Sequence, residues 1–527
     1  TSIVHRKRKL IHPHAIFPLD HWISKILRML EVARLVCLAL FFHGCLYNCN
    51  VHTAVGELIA DPVQRFSPHL NESDFGSFLA LNSESTAVVG AHSGNGNIGA
   101  AYLYAQIEFS SSWPNSTFST IDGSLISQYA SAHSSGVANW DVIANSNYTT
   151  LLGAKVWTQL AILTASDPSS GSNFGFSGSI AKDMTLISSY TNDCVYVFSK
   201  SSSSGSLSNT WSQQAKLVAS DSVNGDNFGA SVEMNTKGEL SQEGSFLAIG
   251  AYNADSAKGK VYTFSLDSSA SSWSQQAILQ ASDASSADLF GSHLCANGNM
   301  LAVSSIGKEG GAGVVYTFSS SSLSPAGVTW SQQAILRSNV RSPGDHFGSS
   351  ISFQESIGML AIGARSVKTS NIPYGAVYLF SSSSPRTDSS WIFEMKLEQP
   401  STGYRFQYFG YSMDSIIYPS TSQPALIIGA YDQSSVDGGV YIFQRSLQNG
   451  VSLVWSQQEV LQAADSSFTA GYGRGAAFSS DGTNMLVSSY KSGNNGCLYT
   501  YRDENRIAIL SALSPEESIY GLSLEGI

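Results

Sequence analysis

Six side chains recur at one place in successive units of this sequence, and their types suit the binding of a ligand. Each directly follows a pair of small residues that ends an apolar run, and Ile306 takes the same place in one further unit. The six are His92, Tyr190, Tyr252, Arg365, Tyr431 and Tyr490. Tyrosine and arginine combine a large contact area with polar ends, which is typical of recognition surfaces. The pattern predicts a ligand-binding ring, and the alternative is that the tyrosines fill a central channel.

Signatures of catalysis do not occur in the sequence. We find no HExxH metal site, no G-x-S-x-G nucleophile turn, no P-loop and no dinucleotide-binding glycine pattern. The histidines beyond residue 54 are not paired at metal-ligand spacing, and they are His69, His92, His133, His293 and His346. The sequence therefore predicts no catalytic residue and no enzyme activity. A secreted enzyme acting on polysaccharide or phospholipid is the alternative.

The overall charge argues against a nucleic-acid partner. The chain has 28 lysines and arginines against 39 aspartates and glutamates, which gives a net charge of −11. An acidic protein repels the phosphate backbone of nucleic acids. Hydrophobic residues make up 43% of the chain and charged residues 13%, which is typical of a globular protein rather than a disordered one.

The first 54 residues resemble a leader rather than part of a folded domain. Residues 35–42 form an apolar run after Arg34, and small residues follow the run. This arrangement predicts a signal peptide with an upstream extension, because the run is too short to cross a bilayer. The alternative is a buried N-terminal helix. Secretion or display at a cell surface would allow glycosylation at the three Asn-x-Ser/Thr sites, which are Asn71, Asn115 and Asn147. No later segment predicts a membrane span.

Two markers repeat along the rest of the chain and define the elements that position the candidate residues. The tetrapeptide WSQQ begins at Trp211, Trp273, Trp330 and Trp455. An aromatic residue followed by glycine occurs at Phe75, Phe174, Phe228, Phe290, Phe347, Phe409 and Tyr472. With the variants WTQL at Trp157 and WIFE at Trp391 counted, both markers recur about every sixty residues from residue 157 onward, and each unit holds four short β-branched and aromatic stretches. The sequence predicts an all-β protein, a seven-bladed β-propeller of four-stranded antiparallel blades.

The repeat also predicts the domain boundaries. Residues 1–54 are the extension and signal peptide, 55–512 the propeller, and 513–527 a C-terminal tail. The first unit is too long by the length of 114–157, which we expect to be an insertion in blade 1. The strand that closes the ring is expected at 56–60 or at 505–512, because both segments resemble the strand that follows WSQQ.

Three short motifs within each unit are similar to a known repeat. They are clearest as DNFG at 226–229, LAIGA at 247–251 and KVYTF at 260–264. Together they resemble the FG-GAP repeat of the N-terminal β-propeller of integrin α subunits. The resemblance implies a secreted or cell-surface recognition or adhesion protein that binds an extracellular protein or glycan. A structural subunit of an extracellular wall or filament is a further alternative.

The resemblance raises the question of calcium, because integrin propellers bind this ion through loops of pattern D-x-[DN]-x-D-G. The corresponding loops here, MNTKGELSQEGS, FQESIG and FSSDGTN, lack the alternating carboxylates. Calcium requires about six to eight oxygen ligands, so the sequence predicts no metal site and no cofactor, with bound calcium as the alternative. The acids that precede the Phe-Gly pairs are instead expected to cap turns, and they are Asp221, Asp226, Asp283, Asp288 and Asp345.

Overall fold

The computed structural model describes the propeller region of the chain. The described residues are 64–66, 74–82, 84–93, 97–108, 155–200, 210–235, 246–266, 272–320, 329–385, 390–400, 406–418, 422–431, 438–448, 452–463, 471–479, 482, 484–490 and 496–502. The expected leader at 1–54 and tail at 513–527 lie outside this part, as does nearly all of the expected insertion at 114–157. The three candidate glycosylation sites, Asn71, Asn115 and Asn147, also lie outside it.

The described residues form seven antiparallel four-stranded sheets, each a blade whose strands are numbered here in chain order. Blade 1 contains β2 (Phe75–Leu81), β3 (Thr86–Ala91), β4 (Ala100–Glu108) and β5 (Lys155–Leu163). Blade 2 contains β6 (Phe174–Ala181), β7 (Met184–Ser189), β8 (Cys194–Lys200) and β9 (Trp211–Leu217). Blade 3 contains β10 (Phe228–Asn235), β11 (Phe246–Ala251), β12 (Lys260–Leu266) and β13 (Trp273–Leu279).

The remaining blades repeat this order. Blade 4 contains β14 (Phe290–Asn297), β15 (Met300–Ser305), β16 (Val314–Ser320) and β17 (Trp330–Leu336). Blade 5 contains β18 (Phe347–Gln354), β19 (Met359–Ala364), β20 (Ala376–Ser381) and β21 (Ile392–Leu397). Blade 6 contains β22 (Phe409–Ile417), β23 (Pro424–Ala430), β24 (Gly439–Gln448) and β25 (Ser452–Leu461). Blade 7 contains β26 (Tyr472–Phe478), β27 (Asn484–Ser489), β28 (Cys497–Arg502) and β1 (Gln64–Phe66).

Helical structure in the described residues is limited to single turns. These are α1 (Ala254–Ala257), α2 (Lys308–Gly311) and two 3-10 turns, Tyr190–Asn192 and Glu355–Ile357. The prediction of an all-β, seven-bladed propeller is confirmed.

The ring is closed by a strand that the repeat pattern did not identify. The N-terminal strand β1 pairs with β28 as the outermost strand of blade 7, with Arg65 opposite Tyr499. The expected closing segments at 56–60 and 505–512 lie outside the described residues. Only three residues of β1 pair, and the pairing uses backbone groups, so the strand does not need the sequence that follows WSQQ elsewhere.

Burial of the Phe-Gly pair explains why the repeat needs these two residues. Phe228 is fully buried and packs with Leu186 of blade 2 and with Tyr262 of its own blade, so it fills the space between two sheets. Gly229 has a φ of +96°, which disfavours any residue with a Cβ. A Cβ on Gly250 would lie 2.1 Å from the carbonyl oxygen of Gly291 in the next blade. Small residues are therefore required where neighbouring inner strands approach each other.

The first glutamine of WSQQ fastens neighbouring blades together. The side chain of Gln332 in blade 4 accepts a hydrogen bond from the backbone N–H of Ser282, at 3.0 Å, and donates to its hydroxyl, at 2.9 Å. Gln275 in blade 3 makes the same two bonds to Ser220, at 2.9 and 2.8 Å. The partner serine lies in each case in the chain that leaves the preceding blade. The glutamine thus contributes an inter-blade contact that burial patterns alone would not predict.

Of the five aspartates before the Phe-Gly pairs, Asp221 and Asp283 accept hydrogen bonds from Lys260 and from the Tyr316 hydroxyl instead of capping turns. The other three cap turns, as the sequence predicts. The Oδ2 atom of each accepts a hydrogen bond from the backbone N–H three residues earlier, at 3.0, 2.7 and 2.9 Å for Asp226, Asp288 and Asp345. Such a bond replaces a backbone contact within the turn. In blade 4 the cap is also an ion pair, since Lys308 lies 2.7 Å from Asp288 and both side chains are largely buried.

Candidate functional site

The six candidate residues all lie on one face of the propeller. In each blade the start of the inner strand is opposite the end of the second strand, as Phe228 is opposite Ala251. The connections before the inner strand and after the second strand therefore emerge at the same end, which we call the upper face. Each candidate is the first residue after the second strand of its blade, as His92 is after β3.

The inner strands surround a central axis. Each inner strand contacts the next around the ring, and β26 of the last blade contacts β2 of the first. Side chains near the upper ends of these strands therefore converge on the axis, where residues from different blades meet. This convergence brings several candidates into contact with residues of the inner strands.

Arg474 is the centre of the densest group of contacts. It is the third residue of β26, and its guanidinium carbon lies 4.2 Å from the centre of the Tyr490 ring and 5.7 Å from that of Tyr431. The Nη1 atom donates a hydrogen bond to the Tyr411 hydroxyl at 3.0 Å. Cation–π attraction and this hydrogen bond hold the guanidinium among three aromatic rings.

Arg365 extends this group to blade 5. Its guanidinium carbon lies 5.3 Å from the centre of the Tyr411 ring, and Tyr411 packs against Tyr431 with ring centres 4.9 Å apart. The two arginines thus both contact Tyr411. We call Arg365, Tyr411, Tyr431, Arg474 and Tyr490 the axial cluster. It joins blades 5, 6 and 7.

A second chain of contacts runs through blades 1 and 2. The His92 ring lies 5.4 Å from the Phe176 ring, which in turn lies 4.1 Å from that of Tyr190. His92 Nε2 is 3.4 Å from Asp74 Oδ2. Burial lowers the pKa of His92, the Asp74 carboxylate opposes this shift, and Arg474 lowers the pKa further. His92 is therefore an uncharged side chain at neutral pH.

Asp74 connects the two groups. The Ser93 hydroxyl donates a hydrogen bond to its carboxylate. Burial raises the pKa of the Tyr490 hydroxyl, and the neighbouring Asp74 charge and a hydrogen bond to it raise this pKa further. The Asp74 carboxylate thus links the aromatic group of blades 1 and 2 to Tyr490 of the axial cluster.

The six candidates differ in how they could contact a ligand. Tyr431 is only 3% exposed, so it supports the surface rather than forming it. His92, Tyr190, Tyr252, Arg365 and Tyr490 are half-buried. Tyr252 makes no ring contact with the other candidates among the described residues, although burial raises the pKa of its hydroxyl and Tyr190 raises it further. Contacts among the candidates are therefore unevenly distributed around the ring, and they are most closely spaced at blades 5 to 7.

Three residues of this surface were missed by the sequence analysis. Phe176, Tyr411 and Arg474 each come directly after a Phe-Gly or Tyr-Gly pair. Other blades have a small residue at that place, as at Ser77 and Ala230. A large side chain directly after the pair is the sequence signal that could have identified them.

Two acids lie deeper on the inner strands. Glu233 Oε1 accepts a hydrogen bond from the Ala296 N–H at 3.4 Å, and Asp414 Oδ2 accepts one from the Phe478 N–H at 2.8 Å. Burial raises the pKa of Glu233 to about 8, although hydrogen bonding to Ala296 opposes the shift, and the Asp414 charge adds to it. Burial raises the pKa of Asp414 to about 6. Both side chains connect neighbouring inner strands.

Metal-ligating residues do not gather in the described part of the chain. It contains no group of three or more histidine, cysteine, aspartate or glutamate side chains arranged to hold an ion. Its helices include none that is long and apolar enough to cross a membrane.

Comparison with solved structures returns other propellers at low similarity. Sqt1 of Saccharomyces cerevisiae is 11% identical with a TM-score of 0.42, covering 84% of this chain and 99% of its own. Sqt1 of Chaetomium thermophilum is 11% identical with a TM-score of 0.45, with the same coverage. Sqt1 of that organism bound to the N-terminus of ribosomal protein L10 is 11% identical with a TM-score of 0.44, covering 84% of this chain and 100% of its own. No curated protein matches the chain at a significant level.

Comparison with protein families identifies the repeat itself. The FG-GAP repeat matches in four places, at residues 157–208, 211–264, 273–318 and 330–380. These segments run from the outer strand of blade 1 to blade 5, and the same strand order continues through all seven blades. The chain therefore contains four FG-GAP repeats within a seven-bladed β-propeller, an architecture consistent with the N-terminal propeller of integrin α subunits.

Proposed function

We propose that this propeller is a non-enzymatic recognition or adhesion protein whose upper face binds a partner. The observation that carries the proposal is the pair of aromatic groups on this face, one at His92, Phe176 and Tyr190 and one at the axial cluster, which Asp74 links. Tyrosine and arginine are the residues that dominate binding energy in protein interfaces. Strands supply a rigid support for these side chains, which limits the entropy lost on binding.

The setting we propose is extracellular, with a protein or glycan as ligand. Support for it comes from the apolar run and small residues at the N-terminus and from the FG-GAP repeats. The proposal requires neither a metal ion nor a cofactor, and it gives no role to nucleic acid. N-terminal sequencing of the native protein would test the location, because processing between residues 44 and 55 is the expected result. Recovery of an unprocessed protein from cytosol would contradict it.

A binding screen tests the function. The recombinant propeller would be applied to arrays of extracellular proteins and glycans, beside a variant that combines Tyr190→Ala with Tyr252→Ala. We expect the double variant to lose at least about tenfold in affinity for any ligand found, because each ring is half-buried on the proposed surface. Ile392→Ala is the matched control, since Ile392 is 67% exposed on an outer strand of blade 5.

The same screen can contradict the proposal in two ways. Equal binding by the wild type and the double tyrosine variant would place the ligand elsewhere on the propeller. Turnover of an arrayed polymer by the purified protein, at a rate that the tyrosine substitutions leave unchanged, would favour an enzyme.

A further inference from the structure

Arg365 and Arg474 differ from the other arginines whose side chains the structure describes. Arg337 and Arg341 both pair with Glu309, at 2.8 and 3.2 Å. Arg445 lies 3.8 Å from Glu394. Neither arginine of the axial cluster forms an ion pair with any carboxylate in the described part of the chain. No carboxylate of the described residues therefore pairs directly with the two guanidinium groups, although Asp74 bonds to Tyr490 at the edge of the cluster.

The hydrogen bonds around these arginines leave donors without an acceptor. Arg474 uses Nε for the Ser77 carbonyl, at 3.2 Å, and Nη1 for the Tyr411 hydroxyl. The guanidinium of Arg365 makes no hydrogen bond with the described residues. The Tyr431 hydroxyl is also buried, and Arg474 is the side chain beside it. A buried or half-buried polar group without a partner is costly, so an acceptor supplied by a ligand would stabilise this site.

The position of the two arginines indicates what the acceptor should be. Their guanidinium carbons lie 5.3 and 5.6 Å from the centre of the single Tyr411 ring, one from blade 5 and one from blade 7. The guanidinium group presents its N–H donors in a plane that matches the two oxygens of a carboxylate. Asp74, the acid next to the cluster, is already bonded to Ser93 and lies beside His92.

We propose that Arg365 and Arg474 bind a carboxylate side chain presented by a peptide segment of a partner protein. This inference rests on the proposed function and specifies its ligand. A single carboxylate with apolar neighbours suits a site made of two arginines and three tyrosines. A polyanionic glycan suits it less, because the chain as a whole carries a net charge of −11 and repels extended negative charge.

Matched synthetic peptides provide the test. An array of ten-residue peptides with apolar flanks would carry aspartate or glutamate at the centre, and each would have a twin with asparagine or glutamine. We expect acidic peptides to bind the full chain at least about tenfold more tightly than their twins. Arg365→Gln should remove this difference, whereas Arg365→Lys should retain part of it. Arg337→Gln is the control, because Arg337 already pairs with Glu309.

Arg365 is the better site for substitution, because Arg474 also bonds to blade 1 and its loss would disturb the fold. Acidic peptides that bind no better than their amide twins, or fail to bind at all, would overturn the inference. Stronger competition by polygalacturonate than by a single-acid peptide would also overturn it. If array ligands bind normally to Arg365→Gln but not to the double tyrosine variant, the proposed function stands and only the carboxylate inference fails.

Discussion

Arg474 in blade 7 donates a hydrogen bond from Nε to the carbonyl oxygen of Ser77 in blade 1, at 3.2 Å, although the two residues are 397 positions apart. The same side chain is the centre of the axial cluster. One residue therefore joins the first and last blades and also positions the aromatic rings of the candidate site. Arg474 therefore couples the geometry of the candidate site to the closure of the ring.

Loss of Arg474 should accordingly weaken the fold as well as the site. Arg474→Met removes the bonds to Ser77 and Tyr411, and we expect a loss of about 1–3 kcal/mol in the free energy of unfolding. Urea denaturation would measure this. Arg337→Met is the control, and its exposed ion pair should contribute less than about 1 kcal/mol. Equal effects of the two substitutions would contradict the role given to Arg474.

Phenylalanines between the blades should be far more important for stability than the half-buried tyrosines of the upper face. Phe228→Ala should cost about 3–5 kcal/mol, because the ring is fully buried and meets Tyr262 edge-to-face at 5.4 Å. Tyr252→Ala should leave the melting temperature nearly unchanged. Tyr431→Ala should lie nearer the Phe228 result, because Tyr431 is almost completely buried. Thermal denaturation followed by circular dichroism distinguishes these outcomes.

The two glutamines of WSQQ should contribute unequally. Gln332→Ala removes two hydrogen bonds to the neighbouring blade, and each contributes about 0.5–1.5 kcal/mol. Gln333→Ala removes bonds that stay within blade 4, to Ser331 and Ser319, and we expect a smaller loss. Urea unfolding of both variants gives the comparison. A larger effect at Gln333 would show that the inter-blade bonds add little.

The ion pair of Lys308 should contribute more than a comparable pair at the surface. Lys308→Met leaves Asp288 charged and largely buried, which should cost about 3–5 kcal/mol. Lys216→Met is the matched control, since its pair with Asp167 has side chains 39% and 51% exposed and should contribute less than about 1 kcal/mol. Similar unfolding free energies for the two variants would mean that Asp288 is solvated in the native protein.

Glu233 should make stability fall as pH rises. Its pKa increases from the ordinary 4.5 to about 8 on folding, so the native state binds more protons than the unfolded state between these values. The free energy of unfolding should therefore decline across this window, by at most about 1.4 kcal/mol per pH unit from this group. Glu233→Gln should remove the decline, and its advantage over the wild type should grow with pH and level off above about pH 8. A pH-independent difference between them would contradict the assignment.

Local features of the fold could be predicted because each depends on a few neighbouring residues. Gly229 and Gly250 mark close approaches where only small residues fit, so glycine recurs at the first place and glycine or serine at the second. Asp226, Asp288 and Asp345 each accept a hydrogen bond from the backbone N–H three residues earlier. Their position two residues before the Phe-Gly pair was therefore enough to predict the turn cap. These requirements are short-range, and they are visible without knowledge of the ring.

Features that depend on the closed ring could not be predicted in the same way. Strand β1 has no distinctive sequence, because its place is determined by the free backbone edge of β28. Tyr411 and Arg474 are large residues at a place where other units have a small one, so in the sequence each looks like an isolated exception. Their contact with each other is formed only because the blades of the ring bring them together. Arg365 was identified by its repeat position, but its lack of an acidic partner became evident only from the structure.

Closure by β1 has a consequence for the order in which the protein can fold. Blade 7 needs both the strand at Gln64–Phe66 and the hairpin that ends at Arg502, and Ser488 in that blade bonds to Gly76 of blade 1, 412 positions away. During synthesis the middle blades can form from adjacent segments as they emerge, whereas β1 must wait unpaired until nearly the whole propeller has been made. The large sequence separation between β1 and β28 raises the contact order and slows the closing step. Premature release of the chain would therefore yield an open arc of blades with free strand edges.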